Sequence, residues 1–246
     1  MQQKIIVLDV GNTTVDLGIF DAQQNLHSAK KFNYSQLENE LLYFLATELD
    51  FNSILVIGYV NFSAYKIIMN HITKFFQNIY VINDVRDWEF GLNPQIKIDE
   101  VGIDILASTE YAVSQGYFNS IIYLLGSANV AIKIKNSILQ GAVITPGLQN
   151  TFNGLIDNIY NLQNLKFDSV MTTDITNLIF GTNTNQAIKI GLIRQLNSFV
   201  ADFYDDNSKI FITGGNAKFL NKEYTVYQDS FFVIKAYLNT FLKRKG

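Results

Sequence analysis

The sequence has no cysteine. Disulfides, thiolate nucleophiles and thiolate metal sites are therefore excluded. Histidine is nearly as scarce. His27 and His71 are the only two, and both fall in segments that read as surface elements, so neither a histidine metal centre nor a histidine triad is expected. No apolar run reaches the length of a transmembrane helix. The first residues lead straight into an apolar strand with no signal-peptide pattern, and a soluble cytoplasmic protein is the expectation. Positive charge is also short. Lys and Arg number 19 against 22 Asp and Glu, a net charge of -3, which points away from nucleic acid as a partner. The basic run Lys243-Arg244-Lys245 reads as a solvated tail. What the chain does have is apolar substance: 48% of its 246 residues are hydrophobic and 17% charged. That is enough for a real core in one large domain or two smaller ones.

The most informative stretch is residues 5–20, IIVLDVGNTTVDLGIF. An apolar run ends in Asp9, a tight turn Gly11-Asn12-Thr13-Thr14 follows, and a second strand runs on to Phe20. This reads as a β-hairpin with a carboxylate at the end of its first strand. Gly11 lets the backbone turn without a Cβ in the way. Successive N–H groups in such a turn form a concavity for an anion, and the threonine hydroxyls add donors. A nearby carboxylate suits Mg²⁺, which takes few carboxylates and keeps several waters. The stretch fits a Mg-nucleotide phosphate site, and equally an ordinary hairpin with a polar turn.

Residues 35–38 have the form of a capping box, and leucines at helical spacing continue to about Leu49. Strands are expected over 53–60 and 79–82 with a helix over 63–76 between them, an α/β layer with a mixed sheet. Residues 85–100 read as a surface loop, with Trp88 packed under it or stacking on a ligand. A helix over 100–115 places Asp104 in its first turns, as a macrodipole partner or a general base. The design of the opening then repeats. Residues 120–125 form an apolar strand, Gly126-Ser127-Ala128-Asn129 a small polar turn, and further strands cover 130–134 and 138–144. Leu124 and Leu125 stand where the first copy has Asp9. Such self-similarity implies two similar lobes, residues 1–116 and 117–246, each a mixed sheet with helices, with a cleft between them.

Thr145-Pro146-Gly147-Leu148 opens a helix with Pro near its first turn. Residues 161–184 read as loop. Gly181-Thr182-Asn183-Thr184 precedes a helix over 185–204 and could bind an anion or simply cap it. A strand over 209–213 runs into Gly214-Gly215-Asn216, which permits close approach of a nucleoside or makes a tight turn. Residues 230–243 form a last amphipathic helix.

In order and spacing these segments resemble the type III pantothenate kinases, of the acetate-kinase, hexokinase and actin superfamily. LDVGNT is similar to that family's first phosphate motif, NPQIKIDEVGID to its substrate loop and catalytic aspartate, and GSANV lies where its second phosphate motif stands. LQGAVITPGLQNTFNGL, GTNTNQAIKIGL and FITGGNAKFL resemble later segments. The resemblance implies a duplicated actin/ribonuclease-H-like fold and ATP-dependent phosphorylation of pantothenate to 4'-phosphopantothenate, the first step of coenzyme A synthesis, in a homodimer. It assigns Asp9 to Mg²⁺. Gly11, Asn12, Thr13, Gly126, Ser127, Gly214 and Gly215 go to ATP, and Gly102, Ile103, Asp104 and Thr182 to the substrate. Asp104 is the general base, and Thr182 sits near the substrate across the dimer interface. Three departures stand out. Ile105 replaces an arginine, Gly91 lies where a tyrosine is expected, and Leu124 replaces an aspartate that ligates a monovalent cation. An apolar side chain cannot ligate K⁺. The alternative expectation is a retasked relative that binds a ligand or regulates, and a different small hydroxyl substrate is a third.

Overall fold

The computed structural model describes residues 4–47 and 49–245. They fall into two compact units. The first runs through Phe118 and includes Ser137–Leu139 and the segment from Phe231 onward; the second comprises Asn119–Asn136 and Gln140–Ser230.

The first unit opens with strands β1 (Ile5–Val10), β2 (Thr14–Phe20) and β3 (Leu26–Asn33). A 3₁₀ turn, a stretch of π-helix over Leu37–Leu42 and a short helix α1 (Tyr43–Thr47) follow. Here the cap forms two residues earlier than expected: Asn33 N–H donates to Gln36 Oε1 at 2.8 Å. The side chain of Glu38, the other half of the expected box, lies outside the described residues. Strand β4 (Ile54–Tyr59), helix α2 (Phe62–Ile72) and strand β5 (Asn78–Val81) complete a sheet of order β3-β2-β1-β4-β5. The strands β3, β2 and β1 are antiparallel, while β1, β4 and β5 are parallel. A two-residue strand β6 (Gly91–Leu92) and helix α3 (Ile103–Ser114) come next.

The two-residue period of a strand divides this sheet cleanly. Ile6, Leu8, Val10, Val15, Leu17, Leu55 and Ile57 point to one face and form a core with Leu41, Leu45, Ile68 and Ile72. Ile5, Val7, Asp9, Asp16, Gly18, Val56 and Gly58 alternate with them and lie on the other face. Helices α3 and the C-terminal α7 (Phe232–Lys245) pack there, on each other and on β1 and β4.

The second unit holds β7 (Ser120–Leu125), β8 (Ala128–Lys135), β9 (Ile138–Pro146), helices α4 (Leu148–Asn158), α5 (Phe167–Thr172) and α6 (Thr184–Phe203), and β10 (Lys209–Thr213). The strand order is β10-β7-β8-β9. Strand β7 is antiparallel to β8 and parallel to β10, as β1 is to β2 and β4. Ile121, Tyr123 and Leu125 face the helices, in a core with Phe152, Leu192, Leu196 and Ile212. The first residues of β9, Ile138 and Leu139, pair with β6 and count with the first unit.

Several boundaries differ from expectation. Pro146 ends β9, and Gly147 caps α4. The stretch expected as loop contains α5, seated by the buried Val170. Helix α7, expected with residues 117–246, belongs to the first unit, because Phe232, Ile234, Ala236, Tyr237, Leu238 and Phe241 are all buried. The basic run at its end is not a solvated tail. Lys243 pairs with Glu89, and Arg244 donates to the carbonyl of Asp87 and, at 2.5 Å, to Glu110. Glu110 on α3 is fully buried and also accepts from Thr240 Oγ1 at 2.7 Å. Trp88 is half-buried beneath this cluster, with the Arg244 guanidinium 5.9 Å from its ring. A buried carboxylate is tolerated when it is paired and hydrogen-bonded.

Candidate active site

Ladder register places Asp9 directly opposite Asp16 on β2 and Gly58 on β4. The three form one row across the face that α7 covers. Gly58 leaves the space in which the Tyr237 ring lies: a Cβ there would come within 2.3 Å of the ring carbons. Tyr237 is fully buried, and its hydroxyl donates to Asp9 Oδ1 at 3.4 Å, a long hydrogen bond. Asp16 is paired with Lys31 at 2.8 Å. The turn beyond Asp9 is closed by Gly11 N–H donating to the carbonyl of Thr14 at 3.0 Å. Asn12 and Thr13 are exposed at its tip, and Tyr34 donates its hydroxyl to the carbonyl of Gly11.

Asp104 occupies the first turn of α3, after Gly102 as N-cap and the buried Ile103. Its Oδ1 accepts the N–H of Ile105 at 3.0 Å. Gly102 leaves space for that oxygen, which a Cβ would approach to 2.5 Å. Ile105, in the place of the expected arginine, is a buried core residue.

The charges in this group repel one another. Burial pushes the Asp9 carboxyl up, the charges of Asp104 and Asp16 add to this, and the Tyr237 hydroxyl and Lys31 oppose it, so that the group titrates at about 8. Burial raises Asp104, against the N–H groups at the start of α3. It also raises Tyr237 and, to about 12, Tyr34, each with help from the Asp9 charge. A carboxylate so placed is stabilised by a cation. Mg²⁺ is held by one or two carboxylates together with phosphate oxygens, so this donor set fits it, and Asp9 is the residue that could hold it. Asp104 gains basicity from its burial, as a general base needs.

The second turn, Gly126-Ser127, is built differently. The Ser127 carbonyl accepts Gly147 N–H at 2.9 Å and Asn150 Nδ2 at 2.8 Å. The Gly126 carbonyl accepts Asn216 Nδ2 at 2.7 Å, and the Leu125 carbonyl accepts Asn216 N–H at 2.9 Å. Gly214, at φ +101°, is pressed on Leu125, where a Cβ would lie 2.3 Å from the carbonyl oxygen. Gly126, Ser127, Gly214 and Asn216 are thus brought together, with Gly215 exposed beside them. Leu124 is buried in the row Val130–Leu124–Thr213. That row carries no charged side chain. Thr182 lies before α6, where its hydroxyl donates to Gln186 Oε1 at 2.8 Å, and Asn183 is the helix cap.

Sequence reasoning missed Asp16, Tyr237, Asn150 and Asn216. Only Asp16 carried a signal, because a hairpin turning at Gly11–Thr13 sets it opposite Asp9.

A family model described as type III pantothenate kinase matches residues 5–206. The chain belongs to the type III pantothenate kinase family. Among curated members, that of Mycoplasmopsis synoviae is 28% identical over 252 residues, covering 98% of each chain. That of Malacoplasma penetrans is 30% identical over 237 residues, covering 89% of each. Among solved structures, a Baf family protein from Campylobacter jejuni superposes with a TM-score of 0.62 at 18% identity, covering 98% of each chain. MreB 5 of Spiroplasma citri gives 0.52 at 8% identity, over 100% of this chain and 98% of its own. The expected actin-like architecture is the one observed, with a mixed sheet and helices in each unit. The matched region stops short of α7, which carries Tyr237.

Proposed function

We propose that the protein phosphorylates pantothenate with ATP, giving 4'-phosphopantothenate for coenzyme A synthesis. The observation that carries this is the half-buried Asp104 at the start of α3, close enough to Asp9 for the two charges to repel, in a chain of this family. Phosphoryl transfer asks a protein mainly for positioning and charge stabilisation, and the residues divide that work. Asp104 takes the proton from the pantothenate hydroxyl as its oxygen attacks the γ-phosphorus, with Gly102 and Ile103 presenting the start of α3 to the substrate. Gly11 shapes the turn, and Asn12 and Thr13 receive phosphate oxygens on their N–H and hydroxyl groups. Asp9 would hold Mg²⁺ bound with the nucleotide, and the ion would neutralise phosphate charge. Gly126 and Ser127 of the second unit support phosphate, and Gly214 and Gly215 leave room for the nucleoside.

Family resemblance supports a homodimer in which Thr182 approaches the substrate of the other protomer; light scattering checks the dimer. A cytoplasmic location, with no membrane or nucleic-acid partner, fits a small-molecule kinase of net charge -3. Among the described residues no helix is long and apolar enough to cross a membrane. The deciding experiment is ADP release with ATP, Mg²⁺ and pantothenate. Turnover that requires pantothenate and disappears in Asp104→Asn is expected. A folded protein that binds ATP and turns over no pantothenate overturns the assignment.

A further inference from the structure

We infer that side-chain amides hold the second turn in the place of a monovalent cation, and that Asn150 and Asn216 are positioning residues for the nucleotide. The inference rests on the nucleotide reading of that turn. A hard cation needs several oxygens with lone pairs to spare. Here each carbonyl of the turn is already engaged by an N–H donor. The Ser127 carbonyl accepts two N–H groups, from Gly147 and Asn150, which uses both of its lone pairs. The Gly126 and Leu125 carbonyls are engaged by the side chain and the backbone of Asn216.

The neighbouring backbone packs closely on these carbonyls. A Cβ on Gly147 would stand 2.0 Å from the Gly126 oxygen, and one on Gly214 would stand 2.3 Å from the Leu125 oxygen. The position where an acidic ligand would stand is Leu124, and Asn129 Oδ1 is a single buried neutral oxygen without a hydrogen bond. The amide N–H groups supply partial positive charge from fixed positions, so they do for the turn what a bound ion would do: they pin the carbonyls and orient the N–H groups that meet phosphate.

The test is Mg-ADP affinity by calorimetry, together with pantothenate-dependent turnover, in buffers whose monovalent cation is K⁺, Na⁺ or choline. The protein is expected to give the same affinity and rate in all three. Asn216→Ala should weaken nucleotide about 10-fold, the scale of one lost hydrogen bond, equally in every buffer. Asn150 is exposed, so Asn150→Asp should keep the fold. It sets a carboxylate against the Ser127 carbonyl, and its affinity should fall in choline and recover in K⁺. Wild-type affinity that drops about 10-fold when choline replaces K⁺ overturns the inference, as does unchanged binding in both variants. Absence of nucleotide binding in every buffer overturns the nucleotide reading and this inference with it, a result distinct from cation-dependent binding.

Discussion

The two units repeat one strand pattern around opposite chemistry. In the first, a central strand lies between an antiparallel and a parallel neighbour, and the row at its end reads Asp16–Asp9–Gly58. In the second, the same arrangement gives Val130–Leu124–Thr213. One row concentrates negative charge and leaves it under-compensated. The other is neutral, and the turn beyond it is locked by amides. The fold therefore repeats where a turn follows the strand, while single residues at the strand end decide whether that place carries charge.

This contrast can be broken at its charged side. Asp104→Asn should lower kcat by about 10²- to 10⁴-fold, the usual worth of a general base, with ATP affinity preserved by calorimetry. Asp9→Asn should remove the Mg²⁺ dependence of nucleotide binding. It should also change the pH dependence of stability. In the fold the Asp9 carboxyl titrates at about 8, against an ordinary value of 3.8. Between those values the folded chain keeps a proton that the unfolded chain has lost, so this group's contribution falls as pH rises from about 4 to about 8 and then levels off. Thermal melts without Mg²⁺ should show that slope in the wild type and a flatter curve in Asp9→Asn.

Arg244→Ala strands the buried Glu110 carboxylate. A loss of about 3 kcal/mol is expected for breaking a buried pair, or roughly 6–12 °C in Tm for a chain of this size. The smallest effect sharpens the comparison. Tyr237→Phe keeps the ring over Gly58 and removes only the hydroxyl. It should cost about 10-fold or less in apparent Mg²⁺ affinity, as expected for one hydrogen bond, and leave the second unit's amide-held turn unchanged. Manganese-binding titrations read this directly.

Much of this was legible in the sequence because it is local. The apolar run into Asp9, the glycine turn, the repeat at Gly126 and the helix start at Asp104 are short-range patterns, and the structure keeps each. Asp16 was legible in principle from the hairpin register. Tyr237 was not, since a tyrosine on an amphipathic helix looks like any core residue until the fold sets it over Gly58. Arg244 read as part of a solvated tail and Glu110 drew no reading, because pairing across 134 positions leaves no mark on either neighbourhood. Asn150 and Asn216 hid for a similar reason: their amides act on backbone carbonyls, and any sequence has carbonyls.

Asp9 and the hydroxyl that touches it are 228 positions apart, and the whole second unit is strung between them. The first unit is therefore interrupted in the chain. During synthesis its sheet waits with the face of Asp9 covered by α3 alone until α7 has emerged, a long-range closure of the kind that slows folding. A nascent chain cut after the second unit would carry both glycine turns and still lack the helix that covers Asp9.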